Sequence, residues 1–301
     1  MRNFLCILIL IIGGICSCKE KSNKDVESEE IFEPIVNVKD LTSDYKKWYS
    51  YYYYNISLSS DFKPLNEKSE VITKDKFINE LTSGKYMPIE IKSDSLKIYK
   101  LYTISPDANK SISSIVKSTA IDAYNFYKME GMKFPDFEFS NIKGKYYDNA
   151  SLLGKTTIIK TWFIACKPCV AEMPGLNELV ENYSTKKNVQ FLSLALDKKE
   201  PLLIFLNKKE FKYEVIAEQK DLIQNKLNLR AYPTHLIVNR KGHIEKVLST
   251  ASELITYLEN KQPIKQKKSK IKAGDGLSLN EGKFPFYTSS IILTKSIDEF
   301  L

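Results

Sequence analysis

Two cysteines separated by two residues, in the motif Cys166-Lys167-Pro168-Cys169, constrain the fold of this 301-residue chain more than any other feature. They follow a β-branched and aromatic run at residues 156–163, which predicts a buried strand. A helical segment is predicted from Cys166 to Tyr183, with Pro174 inside it. The motif is therefore expected at the N-terminus of a helix that directly follows a central strand.

A dithiol in this position favours redox chemistry. Unpaired backbone N–H groups and the helix dipole stabilise an anion on Cys166, and Lys167 adds a positive charge beside it. Because the thiolate is the nucleophile, we predict that Cys166 attacks a substrate and that Cys169, one turn further on, resolves the mixed disulfide. Pro168 fits the first helical turn, where an N–H would have no partner.

The same spacing is also half of a zinc site, so the ligand count matters. The chain has five cysteines, and three of them, Cys6, Cys16 and Cys18, lie close to the N-terminus. His235 and His243 are the two histidines, and their spacing matches no usual zinc module. A zinc site needs about four ligands. We therefore expect no metal and no other cofactor.

Segments on both sides of the motif raise its specificity. These segments are Gly154-Lys155, the strand at 158–163, the helix start at 166–174, Tyr232-Pro233-Thr234, Leu236-Ile237-Val238, Gly242 and Ile244. With these residues, positions 133–260 resemble the exported thioredoxin-like thiol–disulfide oxidoreductases of the TlpA/ResA type. Strands that alternate with helices and end in a hairpin independently predict an open α/β sheet. The expected fold is thus thioredoxin-like α/β, with a central mixed sheet flanked by helices.

The resemblance also implies roles for several side chains. It implies that Pro233 is cis and packs against the disulfide, and that the backbone at Tyr232 and Thr234 binds an incoming substrate strand. Trp162 is expected to tune the redox pair. The implied partners are a protein thiol or disulfide substrate and an upstream electron donor.

Two charged residues near the motif need a partner or a purpose. Glu172, three residues after Cys169, is implied by the resemblance to tune the dithiol, and it could exchange a proton with Cys169. The alternative is a solvated glutamate. Lys160 in a central strand is costly unless paired, so we predict a Lys160–Glu172 contact, with a side chain that reaches the sheet edge as the alternative. His235 is predicted to be a partly buried strand histidine rather than a proton carrier.

The N-terminus is typical of an export signal. Arg2 precedes a short apolar run at residues 4–12, and Ile15-Cys16-Ser17-Cys18 resembles a bacterial lipobox in which Cys18 carries the lipid. The alternative is a signal peptide cleaved without lipidation. Residues 1–18 are thus expected to be a signal peptide and residues 19–30 a flexible tether, which predicts a lipid-anchored protein of the bacterial cell envelope.

The remaining chain is predicted to contain two folded parts and a tail. Residues 31–130 are expected to form a small α+β domain of unknown role, with helices at 73–81 and 112–129. The aromatic run at 48–54 is predicted to be a strand, with a stacking surface for sugars or peptides as the alternative. Residues 131–261 are the thioredoxin-like domain, and residues 262–301 are a lysine-rich linker and tail.

The favoured function is a disulfide reductase, ahead of an oxidase. A thiol peroxidase is less favoured because Phe163 stands where that family has threonine or serine. A ligand-binding surface lipoprotein that uses the fold as a scaffold is the third alternative. The net charge of +8 is spread over scattered lysines, without a nucleic-acid-binding motif, so we expect no nucleic-acid partner.

Overall fold

The structure is a computed structural model that describes residues 32–94 and 96–261. Its strands are β1 (Lys63–Leu65), β2 (Tyr86–Ile91), β3 (Ile98–Thr103), β4 (Glu138–Ser140), β5 (Tyr146–Asp148), β6 (Thr156–Trp162), β7 (Val189–Ala195), β8 (Glu214–Ile216), β9 (Thr234–Val238) and β10 (Ile244–Leu248). Its α-helices are α1 (Val38–Ser43), α2 (Tyr45–Asn55), α3 (Lys74–Leu81), α4 (Lys110–Met129), α5 (Lys167–Ala171), α6 (Met173–Asn182), α7 (Lys199–Leu206) and α8 (Ala251–Lys261). A short 3-10 helix spans Asn149–Leu152 and a π-helical turn spans Asp221–Lys226.

The predicted signal peptide, tether and C-terminal tail, including Cys18, lie outside the described residues. Within the part of the chain that is described, no helix combines the length and the apolar character needed to cross a membrane.

A five-stranded mixed sheet carries the cysteine motif. Its strand order is β10-β9-β6-β7-β8, in which β6, β7 and β8 run parallel and β9 and β10 run antiparallel to their neighbours. All of β6 except Thr156 is buried, as expected for a central strand covered on both faces. This arrangement confirms the thioredoxin-like α/β fold.

Residues 33–130 add further α and β elements, as predicted. A three-stranded sheet has the order β1-β3-β2, and α3 and α4 pack against each other beside it. Thr73 caps α3 by accepting the N–H of Lys76, and Gly84 follows the helix with a positive φ of 71°. Both predicted helices of this part are thus confirmed.

The aromatic run at residues 48–54 is helical, so the predicted strand was wrong. Asp44 caps α2 by accepting the N–H groups of Lys46 and Lys47. Trp48 is completely buried, and its ring stacks on that of Tyr52 one turn later, with centroids 5.2 Å apart. The cap and the stacking one turn apart outweigh the strand propensity of tyrosine.

The predicted single helix after the cysteine motif is two helices. α5 ends at Ala171 and α6 begins at Met173, with Glu172 between them. Pro174 has no N–H to donate to the carbonyl of Val170, so the helical ladder is interrupted there. The break places Glu172 at the junction, where its side chain turns toward the sheet.

The two parts of the chain share one helix. The described residues from Glu33 to Lys261 belong to one compact unit, in which the N-terminal part has its own hydrophobic cluster around α2, α3 and the β1-β3-β2 sheet. Phe126 and Met129 at the end of α4, however, belong to the cluster that contains both cysteines. The domain boundary at residue 130 stays a prediction, because α4 contributes residues to the hydrophobic clusters of both parts.

Candidate active site

Cys166 and Cys169 form a disulfide at the N-terminus of α5. Cys166 is the N-cap of this helix, and its Sγ accepts the backbone N–H of Cys169 at 3.3 Å. The two cysteines differ in accessibility, since Cys166 is 6% exposed and Cys169 is 0% exposed. Lys167 and Pro168, between them, are exposed. Solvent therefore reaches the pair from the side of Cys166.

The loop before β9 contains a cis peptide bond between Tyr232 and Pro233, which confirms that prediction. The ring of Tyr232 meets that of Phe163 edge-on, with centroids 5.4 Å apart. Thr234 Oγ1 donates to the carbonyl of Ala231 at 2.7 Å. Side-chain contacts thus hold the loop on both sides of Pro233. Its packing against the disulfide and its binding of a substrate strand stay predictions.

Lys160 makes the contact predicted from the sequence. Its side chain is completely buried in β6, and Nζ donates to Oε2 of Glu172 at 2.6 Å. Full burial excludes the alternative in which Lys160 reaches the sheet edge. Glu172 also differs from the solvated alternative, because its side chain is only 17% exposed.

His235 is a second partner of Glu172 that the sequence analysis missed. It lies opposite Lys160 in the β6–β9 register, is 0% exposed, and places Nε2 3.0 Å from Oε2 of Glu172. The prediction of a partly buried strand histidine was therefore wrong in its degree of burial. The cross-strand register was the available signal, because residues directly opposite each other share one face of the sheet.

A backbone group completes the surroundings of Glu172. The N–H of Ala251, the first residue of α8, donates to Oε1 at 2.8 Å. Glu172 therefore has a donor on each oxygen, and the amino end of a helix also favours a negative charge there.

These contacts determine the charges of the cluster. Burial alone would raise the pKa of Glu172, but hydrogen bonds from His235 and Lys160, and the positive charges that these two groups carry in acid, lower it to about 2. Burial and the charge of Lys160 lower the pKa of His235. Burial also lowers the pKa of Lys160, against the opposing charge of Glu172. Glu172 is thus a carboxylate at neutral pH and His235 is neutral, with its Nε2–H directed at an oxygen that can only accept.

An ionised Glu172 is better suited to placing a charge than to carrying a proton. Glu172 lies three residues after Cys169, and its backbone continues the helix because its N–H donates to the carbonyl of Pro168 at 3.2 Å. Residues three apart on a helix are neighbours on one face. The carboxylate therefore lies on the side of the helix that carries Cys169, where a negative charge disfavours a thiolate.

Trp162, at the end of β6, is completely buried in the hydrophobic cluster that contains both cysteines. Its ring packs against Phe205 and Phe211, with centroids 5.7 and 5.8 Å away. These contacts are consistent with a packing role, and the predicted tuning of the redox pair is not tested by them. Among residues 32–94 and 96–261, no group of three or more His, Cys, Asp or Glu side chains could hold a metal ion.

Comparison with known proteins gives matches over less than half of the chain. Residues 131–247 match the model of the AhpC/TSA family. The thiol-disulfide oxidoreductase ResA of Geobacillus kaustophilus is 27% identical over 139 residues, which are 44% of this chain and 78% of the relative. ResA of Geobacillus thermodenitrificans is 29% identical with the same coverage. The solved structure of a thiol-disulfide oxidoreductase from Bacteroides fragilis is 18% identical, with a TM-score of 0.40 over 43% of this chain and 99% of that chain.

Proposed function

We propose that this protein, whose residues 131–247 match the AhpC/TSA family and which is similar to the thiol–disulfide oxidoreductase ResA, is a TlpA/ResA-type oxidoreductase that reduces protein disulfides in the bacterial cell envelope. The observation that carries the proposal is the unequal exposure of the two cysteine residues at the start of α5, 6% for Cys166 and 0% for Cys169. The more accessible Cys166 is the attacking residue, and the enclosed Cys169 is the resolving residue.

The reaction is a two-electron exchange. The Cys166 thiolate attacks one sulfur of a substrate disulfide, which forms a mixed disulfide and releases the other substrate sulfur as a thiolate. Cys169 then gives its proton to the substrate thiolate released in the first step, attacks Sγ of Cys166, and releases the second substrate sulfur as a thiolate. The substrate disulfide is reduced and the Cys166–Cys169 dithiol is oxidised. An upstream dithiol donor must then reduce the protein again.

The charges around Cys169 support the reducing direction. An ionised Glu172 one turn after Cys169 disfavours a thiolate there, which makes the dithiol form less stable relative to the disulfide. Lys160 offsets part of the negative charge of Glu172, because its Nζ forms an ion pair with Oε2 of that side chain. Lys167, beside Cys166, acts in the opposite direction by stabilising the attacking thiolate.

The substrate in this proposal is an extended segment of another protein. Tyr232 and Thr234 flank Pro233 at the start of β9, and the resemblance to the TlpA/ResA type implies that the backbone beside Pro233 pairs with an incoming strand. Phe163, whose ring meets Tyr232, adds an apolar surface beside this loop. The lipobox-like sequence at Cys18 supports a location on the cell envelope, with a lipid as the anchor.

A trapping experiment tests the roles of the cysteines. In Cys169→Ala, the mixed disulfide at Cys166 cannot be resolved, so the full-length variant should accumulate covalent partners in native envelopes that dithiothreitol releases. Cys166→Ala is the matched control and should trap none. The opposite pattern would reverse the two roles.

A turnover assay separates the alternatives. The wild-type chain should reduce insulin with dithiothreitol as the donor, and the Cys166→Ala variant should not. No turnover by the wild type would favour a binding lipoprotein, and rapid consumption of peroxide would favour a peroxidase.

A further inference from the structure

The amino end of α8 is held by two carboxylates. Ala251 donates its N–H to Oε1 of Glu172 at 2.8 Å. Glu253, two residues further on, accepts the N–H of Ser249 on Oε2 at 2.9 Å, and its own N–H is accepted by Thr250 Oγ1 at 3.2 Å. The first turn of α8 therefore lies between the glutamate of the active site and a second glutamate.

The N-terminal part of the chain binds that second glutamate. The hydroxyls of Ser57 and Ser59 both donate to Oε1 of Glu253, at 2.5 and 2.7 Å, and the two hydroxyl oxygens lie 3.0 Å apart. Hydrogen bonds to a carboxylate are short and strong, so three donors on Glu253 define its orientation. The contact between Ser57 and Glu253, which are 196 positions apart, thus fixes the start of α8.

The serines are themselves held by the N-terminal part. Ser57 donates its N–H to Oη of Tyr99 at 3.1 Å, and Tyr99 is completely buried. Lys74, in the first turn of α3, donates Nζ to the carbonyls of Ser59 and Ser60 at 3.2 and 2.6 Å. Residues 57–60, which we name the serine loop, are therefore bonded to the N-terminal part as well as to Glu253.

We propose that Ser57, Ser59 and Glu253 are positioning residues for the dithiol, so that the N-terminal part of the chain sets the redox equilibrium of Cys166 and Cys169. The serine loop fixes Glu253, Glu253 fixes the first turn of α8, and Ala251 in that turn fixes Oε1 of Glu172. This inference rests on the proposed function, because it assigns the N-terminal part a role in that same dithiol chemistry.

The physical effect follows from how Glu172 is held. Lys160 and His235 both contact Oε2, whereas Ala251 donates to Oε1. The terminal torsion of a glutamate is broad and only weakly restrained by itself, so the Ala251 bond helps to fix the carboxylate plane. A loosened α8 would leave the charge of Glu172 less well placed against Cys169. The dithiol would then become more stable relative to the disulfide.

The test compares the full-length wild type with Ser57→Ala/Ser59→Ala. Each protein is equilibrated with mixtures of reduced and oxidised glutathione, and the fraction with the Cys166–Cys169 disulfide is measured. We expect the equilibrium constant for disulfide formation to fall by about threefold or more in the double variant. Ser59→Ala, which leaves Ser57 on Glu253, should give a smaller shift in the same direction.

A matched control removes another contact between the same two parts. Glu130, after α4, accepts Nζ of Lys246 at 3.2 Å and the N–H of Val247 at 3.4 Å, both in β10. Glu130→Gln should weaken the packing of the two parts and leave the glutathione equilibrium unchanged. Denaturant unfolding of both variants measures the structural effect separately.

Two outcomes would overturn the inference. If the double variant keeps the wild-type equilibrium constant while its free energy of unfolding falls as in Glu130→Gln, the serine loop is only a structural contact. If Glu130→Gln shifts the equilibrium as much as the double variant does, general loosening explains the effect. A wild-type protein that never equilibrates with glutathione would instead refute the proposed function itself, and the inference with it.

Discussion

Nζ of Lys160 lies 2.6 Å from Oε2 of Glu172, and Lys160 is completely buried. A cation of the central strand β6 is thus paired with an anion that directly follows helix α5. Neither charge is tolerable alone in this position, since removing one partner of a buried ion pair leaves the other uncompensated. The pair therefore links the electrostatics of the dithiol to the stability of the sheet.

Lys160→Met should affect both properties. The free energy of unfolding should fall by about 3 kcal/mol, because the Glu172 carboxylate stays buried without its cation. The pKa of the reduced thiols should rise, because the negative charge near Cys169 is no longer offset. Denaturant unfolding and the pH dependence of thiolate absorbance measure the two effects. Exposed Lys155, just before β6, supplies the control Lys155→Met, and an unchanged thiol pKa in Lys160→Met would refute the tuning role.

Glu172 should make the protein acid-sensitive over a defined range. Its pKa is about 2 in the folded protein against 4.5 for the free side chain, so the folded state holds the ionised form more strongly. Its contribution of about 3 kcal/mol is fully present above pH 4.5 and is lost as pH falls toward 2. Glu172→Gln should flatten the dependence of unfolding free energy on pH in this range.

His235, a neighbour of Glu172, also titrates in acid, and its effect must be separated from that of Glu172. Because His235 has a lowered pKa, the folded state favours its neutral form. Its contribution to stability is therefore lost as pH falls below the ordinary value of 6.5, which is above the range in which Glu172 titrates. The control is Glu178→Gln, which changes an exposed carboxylate of α6. An equal slope between pH 4.5 and 2 in wild type and Glu172→Gln would contradict the prediction.

Tyr99 should contribute to stability through its hydroxyl. Oη donates to the carbonyl of Asn55 at 2.9 Å and accepts the N–H of Ser57, so Tyr99→Phe leaves two part-buried backbone groups without this partner. We expect a loss of about 1–3 kcal/mol in denaturant unfolding. The exposed Tyr54 provides the control Tyr54→Phe, which should change stability by less than about 0.5 kcal/mol. Equal effects of the two substitutions would show that the buried hydroxyl contributes nothing.

Cys18 should determine membrane attachment. Cys18→Ala should abolish incorporation of labelled fatty acid and move the protein from the membrane fraction to the soluble fraction of the envelope. Cys16→Ala changes the neighbouring cysteine and should keep both properties. If only Cys16→Ala lost the label, the lipid would be on Cys16 and our interpretation would be wrong. If the wild type took up no label, a signal peptide cleaved without lipidation would be favoured.

Local sequence was a good guide wherever one physical requirement dominated. The run at residues 156–163 could only be a covered strand, and a buried Lys160 required an anion, which Glu172 supplied. The aromatic run at 48–54 was misread because tyrosine favours strands, whereas its outcome depended on the burial of Trp48 and on the Asp44 cap. Strand propensity reports how a side chain fits a sheet, and here the residues pack from helix α2 and do not pair with a strand.

The sequence by itself thus determined which residues the proposed chemistry is built from: two cysteines at a helix start, a proline that the resemblance implied to be cis, and a lysine in the central strand that required a partner. Only the tertiary structure decided which groups besides Lys160 surround Glu172, and how the N-terminal part contacts Glu253. His235, Ala251 and the Ser57–Glu253 contact join residues 63, 79 and 196 positions apart. Such contacts depend on how strands pair and helices pack, and neither periodicity nor local spacing contains that information.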